Sequence, residues 1–276
     1  MTAVRRLVLL TTAVVLLHQP PLLAAAPASA PNGVRGYSAP PANARFDYQL
    51  GGAYRPARSV RVVDRDRTSH PAAGRYNLCY VNGFQTQDYQ AEWWQTHHPD
   101  LLLHDESGEL VEDPNWPGEY LLDTSTAAKR HALLAVIGHW IDICATKGFD
   151  GTEPDNLDSN TRSQHLLTAA DNLAFAALLA ARAHRDGLAI GQKNDAELSA
   201  RARRTAHFDF AIAESCQVYR ECGYYRKTYG DEVFEVEYGA GSFHAACHAR
   251  GKRISIIRRD RNLVARGKPG YTYRSC

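Results

Sequence analysis

Short apolar runs alternate along the chain with longer segments whose apolar residues recur at helical spacing. The runs that predict strands cover residues 46–50, 61–64, 77–82, 120–123, 149–152, 188–193, 208–213, 233–238 and 253–258. Most of them are separated by enough chain for a helix, which is typical of β–α units around a parallel sheet. We therefore predict an α/β fold, a (β/α)8 TIM barrel in a single domain, for which about 250 residues is a usual length.

Two of the intervening segments have a clear helical period. One stripe, which includes Leu133 and Ile137, ends at Gly148, and a second over residues 166–181 is followed by Gly187. Glycine commonly closes a helix, and each of these glycines precedes a predicted strand.

The number of predicted strands leaves two questions open. Nine candidates are one more than the barrel needs, so we expect either the first or the last to be an additional element. An open doubly wound sheet is the alternative architecture. Its dinucleotide-binding version is disfavoured because no GxGxxG turn follows a predicted strand.

The N-terminal segment has the pattern of a secretory signal peptide. Arg5 and Arg6 precede an apolar run at residues 7–17, and Ala-Ser-Ala at residues 28–30 is a small-residue cleavage site. No later apolar run is long enough to span a bilayer, so we expect a secreted, extracellular protein. The predicted organisation is a signal peptide at 1–30, a Pro- and Ala-rich flexible tether at 31–45 and the barrel domain at 46–276.

An even number of cysteines in an exported chain predicts disulfides. The six are Cys79, Cys144, Cys216, Cys222, Cys247 and Cys276. They allow 15 pairings. Proximity in sequence favours Cys216–Cys222, the need to fix the C-terminal residue favours Cys247–Cys276, and Cys79–Cys144 then remains.

Charge and motifs narrow the class of partner. Lysine and arginine number 32 against 30 aspartate and glutamate residues, so we expect neither a nucleic-acid partner nor, without a long apolar run, a membrane partner. Residues 250–274 are locally basic, which predicts a solvated surface or, alternatively, one that contacts an anionic surface.

The chain lacks HExxH, GxSxG and CxxC, and His244 and His248 have no evident third ligand. We expect a monomer with no cofactor and no metal.

Candidate chemistry collects just after the predicted strands, where the active site of a (β/α)8 barrel lies. These positions hold mainly carboxylates and amides: Asp64, Asn82, Gln85, Asp123, Glu153, Asp155, Asn156, Lys193, Asn194, Asp195, Glu214 and Glu237. Such a set suits a polyhydroxylated or aminated substrate, with a carboxylate pair available for acid/base catalysis.

Residue alternation indicates which of these side chains share a face. It places Glu153 and Asp155 on one face, although a solvated acidic turn is the alternative interpretation. Lys193 lies where it can orient neighbouring acids or form a plain ion pair. Glu214 shares its parity with apolar residues of its strand, so we expect it to point away from the lumen unless the strand has already broken at Ala213. Glu237 is the reserve candidate, with a buried structural carboxylate as the alternative interpretation.

Aromatic residues near these positions are candidates for stacking on sugar rings. They are Trp93, Trp94, Trp116, Tyr219 and Tyr238. Large apolar rings usually belong to the core. Trp116 is the exception, because Pro114 and Pro117 mark it as a loop residue and hence a candidate for substrate binding.

Four blocks of sequence occur in an order that resembles a known family. They are Trp-Pro-Gly-Glu followed by Leu-Asp at residues 116–123, Gly-Phe-Asp-Gly-Thr-Glu-Pro-Asp-Asn-Leu-Asp at 148–158, Gly-Leu-Ala-Ile-Gly-Gln-Lys-Asn-Asp at 187–195, and the Phe-Asp-Phe-Ala strand with the cysteine loop at 208–222. Together they resemble glycoside hydrolase family 114, whose members are endo-α-1,4-polygalactosaminidases with a TIM-barrel fold. The likeness covers residues 46–238.

The resemblance implies that Asp155 and Glu214 form the catalytic pair. It also implies a cleft lined by Asp64, Tyr80, Lys193, Asn194, Asp195, Glu237 and Tyr238. Three features depart from the family pattern: Ala213 replaces an asparagine, residues 46–50 lack the tryptophan of the first strand, and the segment after Gly251 matches poorly.

We therefore predict a catalytic barrel that cleaves an α-1,4-linked galactosamine-containing polysaccharide internally. Glu214 is expected to act as acid/base and Asp155 as nucleophile or stabiliser, with Trp116, Glu153 and Asn156 among the substrate-binding residues. Two alternatives remain: a carbohydrate-binding protein on a catalytically decayed barrel, or a hydrolase of another glycan.

Overall fold

The structure is a computed structural model, and it describes residues 36–276. The predicted signal peptide and residues 31–35 lie outside the described residues. Residues 36–45 contain no helix or strand. They contact the barrel, because the ring of Tyr37 stacks on His184 at 4.0 Å and the carbonyl of Ser38 accepts a 2.6 Å hydrogen bond from Tyr76.

Eight parallel strands follow one another in sequence order around the barrel. They are β1 (Phe46–Tyr48), β2 (Val62–Asp66), β3 (Tyr76–Asn82), β4 (Gly151–Asp155), β5 (Ala189–Lys193), β6 (Phe210–Glu214), β7 (Val233–Glu237) and β8 (Ser255–Arg259). Ser255 Oγ donates a 2.7 Å hydrogen bond to the carbonyl of Ala44, so the start of β8 lies beside the start of β1. The predicted TIM barrel is confirmed.

The α-helices of the described chain occupy the connections between strands. They are α1 (Ala91–His97), α2 (Ala127–Lys147), α3 (Ala169–Arg185), α4 (Ser199–Thr205), α5 (Cys216–Tyr219), α6 (Cys222–Tyr229) and α7 (Ala240–Arg250). Within residues 36–276, none of them combines the length and the apolar character that crossing a bilayer requires.

The surplus strand candidate is the fourth, whereas we had expected the first or the last. Residues 120–123 form only isolated antiparallel bridges, such as Gln85 with Leu121 and Leu102 with Leu122. They belong to the long connection from β3 to α2, residues 83–126, which we call the excursion. A short alternating run reveals that a segment is half buried but not which partner it pairs with.

One further strand was not predicted. The three-residue β9 (Tyr273–Ser275) follows the loop after β8 and pairs with β8 in the antiparallel direction. It lies along the edge of β8 and carries the chain back towards α7.

Local sequence explains where the two long helices begin and end. The side chain of Thr126 accepts a 3.2 Å hydrogen bond from the amide of Lys129 and so caps α2, which ends at Gly148 with φ of 90°. Thr168 and Asp171 form a capping box at the start of α3. That helix therefore starts three residues later than the apolar stripe suggested.

Alternate residues of the strands pack into two separate apolar layers. The lumen is filled by Phe46, Tyr48, Val62, Leu78, Ala189, Phe210, Ile212, Phe234, Val236 and Ile257. The residues between them, such as Ile190, Ala211 and Ala213, face the helices. The lumen of this barrel is thus a packed apolar core below its carboxyl-terminal mouth, as expected for eight strands.

Three disulfides attach peripheral elements to this frame. Cys79–Cys144 joins β3 to α2, Cys216–Cys222 closes the turn between α5 and α6, and Cys247–Cys276 joins α7 to the residue after β9. These pairs agree with the predicted ones. Each closed loop restricts the unfolded chain and so favours the folded state.

We predict that Gly191→Ala lowers the free energy of unfolding by about 1–3 kcal/mol, because a Cβ at this position of β5 overpacks the lumen. It would lie 2.4 Å from Cε2 of Phe210, a fully buried ring. Urea unfolding monitored by circular dichroism measures the effect. Gly223→Ala is the matched control, since its Cβ meets nothing within 4 Å. An unchanged urea midpoint for Gly191→Ala would contradict the packing argument.

Candidate active site

The ammonium of Lys193, the last residue of β5, lies at the centre of the carboxyl-terminal mouth. Its Nζ is 3.1 Å from Asp155 Oδ1, 3.4 Å from Glu153 Oε1 and 3.4 Å from Glu214 Oε2. Lys193 is only 3% exposed. Burial alone would lower its pKa, but attraction to Asp155 and Glu214 raises the pKa of Lys193 well above the ordinary value. The ammonium therefore stays charged and holds the three carboxyl groups around one point.

A buried layer beneath Lys193 connects three strands. Tyr48 Oη donates a 2.9 Å hydrogen bond to Glu153 Oε1 and accepts one of 3.2 Å from Lys193 Nζ. Glu153 is fully buried, and burial raises its pKa to about 7, while attraction to Lys193 acts in the opposite direction. This layer supports the ammonium from below.

Asp64 of β2 completes the buried layer as a neutral group. It is fully buried, and its oxygens have no hydrogen-bond partner among the described residues if the carboxyl is ionised. Burial raises the pKa of Asp64 well above its ordinary value, and the adjacent Glu153 carboxylate raises it further. Protonation gives Asp64 a hydrogen to donate to the adjacent Glu153.

Asp155, at the end of β4, is surrounded by several hydrogen-bond donors. Tyr80 Oη donates to Oδ2 at 2.9 Å, and the backbone amide of Asn156 donates to Oδ1 at 2.7 Å, the same oxygen that faces Lys193. Both oxygens of Asp155 are thus held by protein donors, and 17% of the side chain remains exposed at the mouth.

Glu214, at the end of β6, points into the lumen, contrary to our expectation from the sequence. Phe210 and Ile212 share its parity, and both fill the lumen. The expectation was wrong because the interior of a small barrel is itself an apolar core. Tyr238 Oη donates to Glu214 Oε1, and Asn194 Nδ2 lies 3.5 Å from Oε2.

The backbone turns sharply where these strands open. Asn156, Asn194, Asp195 and Ser215 have φ values of 66°, 51°, 59° and 57°. Left-handed conformations are uncommon outside glycine, and such strain is typical of functional sites. Asn and Asp tolerate this conformation best, which explains why these residue types follow β4 and β5.

A second polar group lies beside the first on the excursion. Gln85 donates a 2.6 Å hydrogen bond to Glu119, whose pKa is raised by burial to about 7. Arg162 reaches both Gln85 and Asn156, at 3.3 and 3.2 Å, and pairs with Asp113 at 2.8 Å. This group fixes the excursion against the end of β4.

The structure brings together most of the predicted site residues. Those in the network around Lys193 are Asp64, Tyr80, Glu153, Asp155, Asn156, Lys193, Asn194, Glu214 and Tyr238. Asp195 lies next to Asn194, and burial and repulsion by Asp158 raise its pKa to about 7. Trp116 is 60% exposed on the excursion.

Three other candidate residues lie outside the network around Lys193. Glu237 is on the outer face of β7, fully buried, and accepts a 2.9 Å hydrogen bond from the amide of Gln217, so the network around Lys193 does not include it. Asp123 caps the turn before α2 through Ser125. Trp94 is a core residue that packs on Trp140 at 5.8 Å.

Four further residues bear on the site. One is Ala213, which departs from the family pattern, and the other three were not among the predicted site residues. The side chain of Ala213 is fully buried in the layer that faces the helices, so it does not reach the mouth. Tyr48, Glu119 and Arg162 were not predicted. Glu119 stood in the Trp-Pro-Gly-Glu block, which was a usable signal, whereas Tyr48 lies in a strand that departs from the family pattern and Arg162 in a polar turn.

A model of glycoside-hydrolase family GH114 matches residues 25–276 of the chain. The chain belongs to this family. It is therefore a glycoside hydrolase, an enzyme class that acts on glycans. A search of curated proteins found no match.

Solved structures with a similar fold include Ega3 of Aspergillus fumigatus, crystallised in complex with galactosamine. It is 24% identical, with a TM-score of 0.70, over 89% of this GH114 chain and 100% of that one. The glycoside hydrolase domain of PelA from Pseudomonas aeruginosa is 14% identical, with a TM-score of 0.57, over 82% and 97% of the two chains. At these identities the similarity establishes the shared fold.

A third structure extends the comparison. TtGalA, an α-galactosidase from Thermus thermophilus in complex with p-nitrophenyl α-D-galactopyranoside, is 14% identical, with a TM-score of 0.50, over 79% of the GH114 chain and 58% of its own.

We predict that Asp64→Asn reduces the loss of stability between pH 5 and pH 8. The unfolded chain releases the Asp64 proton near pH 4, whereas the folded protein retains it, so rising pH favours unfolding by up to about 1.4 kcal/mol per pH unit. Asparagine cannot ionise and keeps a donor for Glu153. Urea unfolding at pH 5, 6.5 and 8 measures the difference.

The control is Asp105→Asn, because Asp105 is partly exposed beside a surface turn and hydrogen bonds from Ser107 lower its pKa. Its stability should parallel that of the wild type over this pH range. If Asp64→Asn also ran parallel to the wild type, Asp64 would be ionised in the folded protein and the neutral assignment would be wrong.

Proposed function

We propose that the protein is a secreted, endo-acting glycoside hydrolase that cleaves an α-1,4-linked galactosamine-containing polysaccharide. The observation that carries this proposal is the position of Asp155 and Glu214, which contact the same buried ammonium from strand ends on either side of β5. A pair of carboxyl groups flanking an open cleft is the usual apparatus of glycoside hydrolysis. The three disulfides favour an oxidising, extracellular location.

The roles of the two carboxyl groups follow from their surroundings. Asp155 receives hydrogen bonds from Tyr80, Asn156 and Lys193, which hold its carboxyl group in the fixed orientation that a nucleophile requires. Glu214 lies at longer range from Lys193 and is more exposed than Asp155, with 26% against 17% of its side chain accessible. We assign Asp155 as nucleophile and Glu214 as acid/base.

Their spacing favours retention of the anomeric configuration. Since Lys193 Nζ lies 3.1 Å from Asp155 Oδ1 and 3.4 Å from Glu214 Oε2, these two oxygens are at most about 6.5 Å apart. Carboxyl groups are about 5–5.5 Å apart in retaining enzymes and about 6.5–9.5 Å apart in inverting ones. For this pair of oxygens the limit excludes all but the shortest inverting separation, and on this ground we propose the retaining class.

In the proposed reaction, Asp155 attacks the anomeric carbon while Glu214 gives its proton to the glycosidic oxygen. The bond to the leaving sugar breaks and an ester to Asp155 forms. Glu214, now a carboxylate, then takes a proton from a water molecule, whose oxygen attacks the same carbon and releases Asp155. Lys193 stabilises the negative charge on both side chains in their ionised states.

The charge around the mouth suits an aminated sugar. Glu119 and Asp195 add half-buried acidic groups beside the catalytic pair, each with a pKa of about 7 because of burial. A cationic sugar stabilises their ionised forms, and they attract it in return. The structure of Ega3 was determined with galactosamine, which supports an amino sugar as the unit recognised.

We predict that Asp155→Asn and Glu214→Gln each reduce cleavage of partly N-acetylated α-1,4-galactosamine polymer by at least about 100-fold while remaining folded. Mass spectrometry measures oligosaccharide release, and proton NMR of the first products should show the α anomer. Glu197→Gln, an exposed change of the same kind, should retain activity. An initial β anomer would refute retention, and binding of the polymer by wild type without any cleavage would favour a carbohydrate-binding protein instead.

We predict that the KM for this polymer rises as sodium chloride increases from about 20 to 200 mM, because salt screens attraction between a cationic chain and the partly exposed carboxylates of the mouth. A fully N-acetylated polymer of the same length carries no charge and is the control, since its KM should hardly change. Equal salt dependence of the two substrates would contradict amine recognition and favour the hydrolase of another glycan.

A further inference from the structure

A groove outside the catalytic mouth has a strongly basic lining. It is an open cavity of about 620 Å³ between the loop from β1 to β2 and the loop from β8 to β9. It is lined by Tyr54, Arg55, Pro56, Ala57, Arg58 and Arg266. A smaller cavity of about 180 Å³ shares Tyr54, Ala57 and Arg266 and extends towards Asp47 and Tyr271. We call the two together the arginine groove.

The arginine groove and the catalytic mouth lie on opposite faces of β1. Asp47 lines the groove, whereas the next residue, Tyr48, faces the lumen and contacts Glu153. The groove is thus a separate site. One strand divides it from the network around Lys193.

The positive charge of the groove is not neutralised within the part of the chain that the structure describes. The side chains of Arg55, Arg58 and Arg266 are exposed and form no ion pair or hydrogen bond with residues 36–276. Asp47 is already engaged, because it accepts a 2.6 Å hydrogen bond from Tyr54 and lies 3.6 Å from the buried Arg259. Three guanidinium groups therefore remain available to an anion.

The backbone that carries these arginines is fixed. Arg65 donates a 2.7 Å hydrogen bond to the carbonyl of Tyr54, and Arg259 donates one of 3.0 Å to the carbonyl of Val264. A parallel bridge between Gly51 and Val264 joins the two loops. The backbone of the groove is therefore already ordered before a ligand binds, and only the arginine side chains have to become ordered.

We propose that the arginine groove binds an anionic oligosaccharide, as a second carbohydrate site that is independent of catalysis. Guanidinium groups bind carboxylate or phosphate groups with paired hydrogen bonds. The ring of Tyr54 and the flat side of Pro56 offer apolar surface to a sugar ring. A volume of about 620 Å³ admits a short oligosaccharide. A cationic galactosamine chain is repelled here, so the ligand differs from the proposed substrate.

The test is isothermal titration calorimetry of the mature protein with trigalacturonic acid, a carboxylated trisaccharide. We expect wild type to bind with a Kd below about 1 mM and the affinity to fall with added salt. Arg58→Gln combined with Arg266→Gln should weaken binding at least about tenfold, since each change removes a charge-assisted contact. Asp155→Asn should bind as wild type does, which separates this site from the catalytic one.

Arg201→Gln combined with Arg204→Gln is the matched control, because it removes two exposed charges from α4, away from the groove. It should leave the affinity unchanged. No binding by wild type, equal losses in the two double variants, or loss of binding in Asp155→Asn would each overturn the proposal. Tighter binding of pyrophosphate than of trigalacturonic acid at the groove would show a small-anion site and would overturn the assignment of a saccharide.

Discussion

The buried ammonium of Lys193 is the constraint on which the catalytic end of the barrel depends. A charge that is almost removed from water must be paired, and here the partners come from β4 and β6 on either side of β5. The pairing of β5 with β4 and β6 thus brings three carboxyl groups to one ammonium. The same ammonium holds Asp155 and Glu214 close together, so the interaction that makes a buried charge tolerable also sets the geometry of the proposed reaction.

The chemical character of the side chains changes along the barrel axis and between the inner and outer faces of β1. Its lower lumen is filled by aromatic and aliphatic side chains such as Phe210 and Phe234, while the level above it consists of charged and phenolic groups. Outside β1, the charge changes sign from the acidic mouth to the arginine groove. If both proposals hold, the enzyme can retain an anionic polymer on its flank while it cuts a cationic one.

Local sequence predicts the directions of some of the catalytic side chains, but it does not predict the contacts that depend on closure of the barrel. Alternation correctly placed Glu153 and Asp155 on one face because β4 is short and regular. The same reasoning gave the wrong direction for Glu214, because apolar parity does not distinguish a packed lumen from the layer under the helices. Tyr48 could not be predicted from spacing, since its contact with Glu153 spans 105 residues and depends on closure of the barrel.

The two ends of the excursion pair with each other where it leaves and rejoins the barrel, and its side chains Trp94 and Leu102 pack into the core under the helices. Residues 84 and 86 pair with residues 122 and 120 through hydrogen bonds of 3.0 and 2.8 Å, so its two ends leave the barrel side by side. Exposed loop tips tolerate change far better than buried segments do. Variation in how a polymer is bound is therefore expected at the exposed tip around Trp116, whereas the buried base of the excursion has to stay matched to the barrel that it packs against.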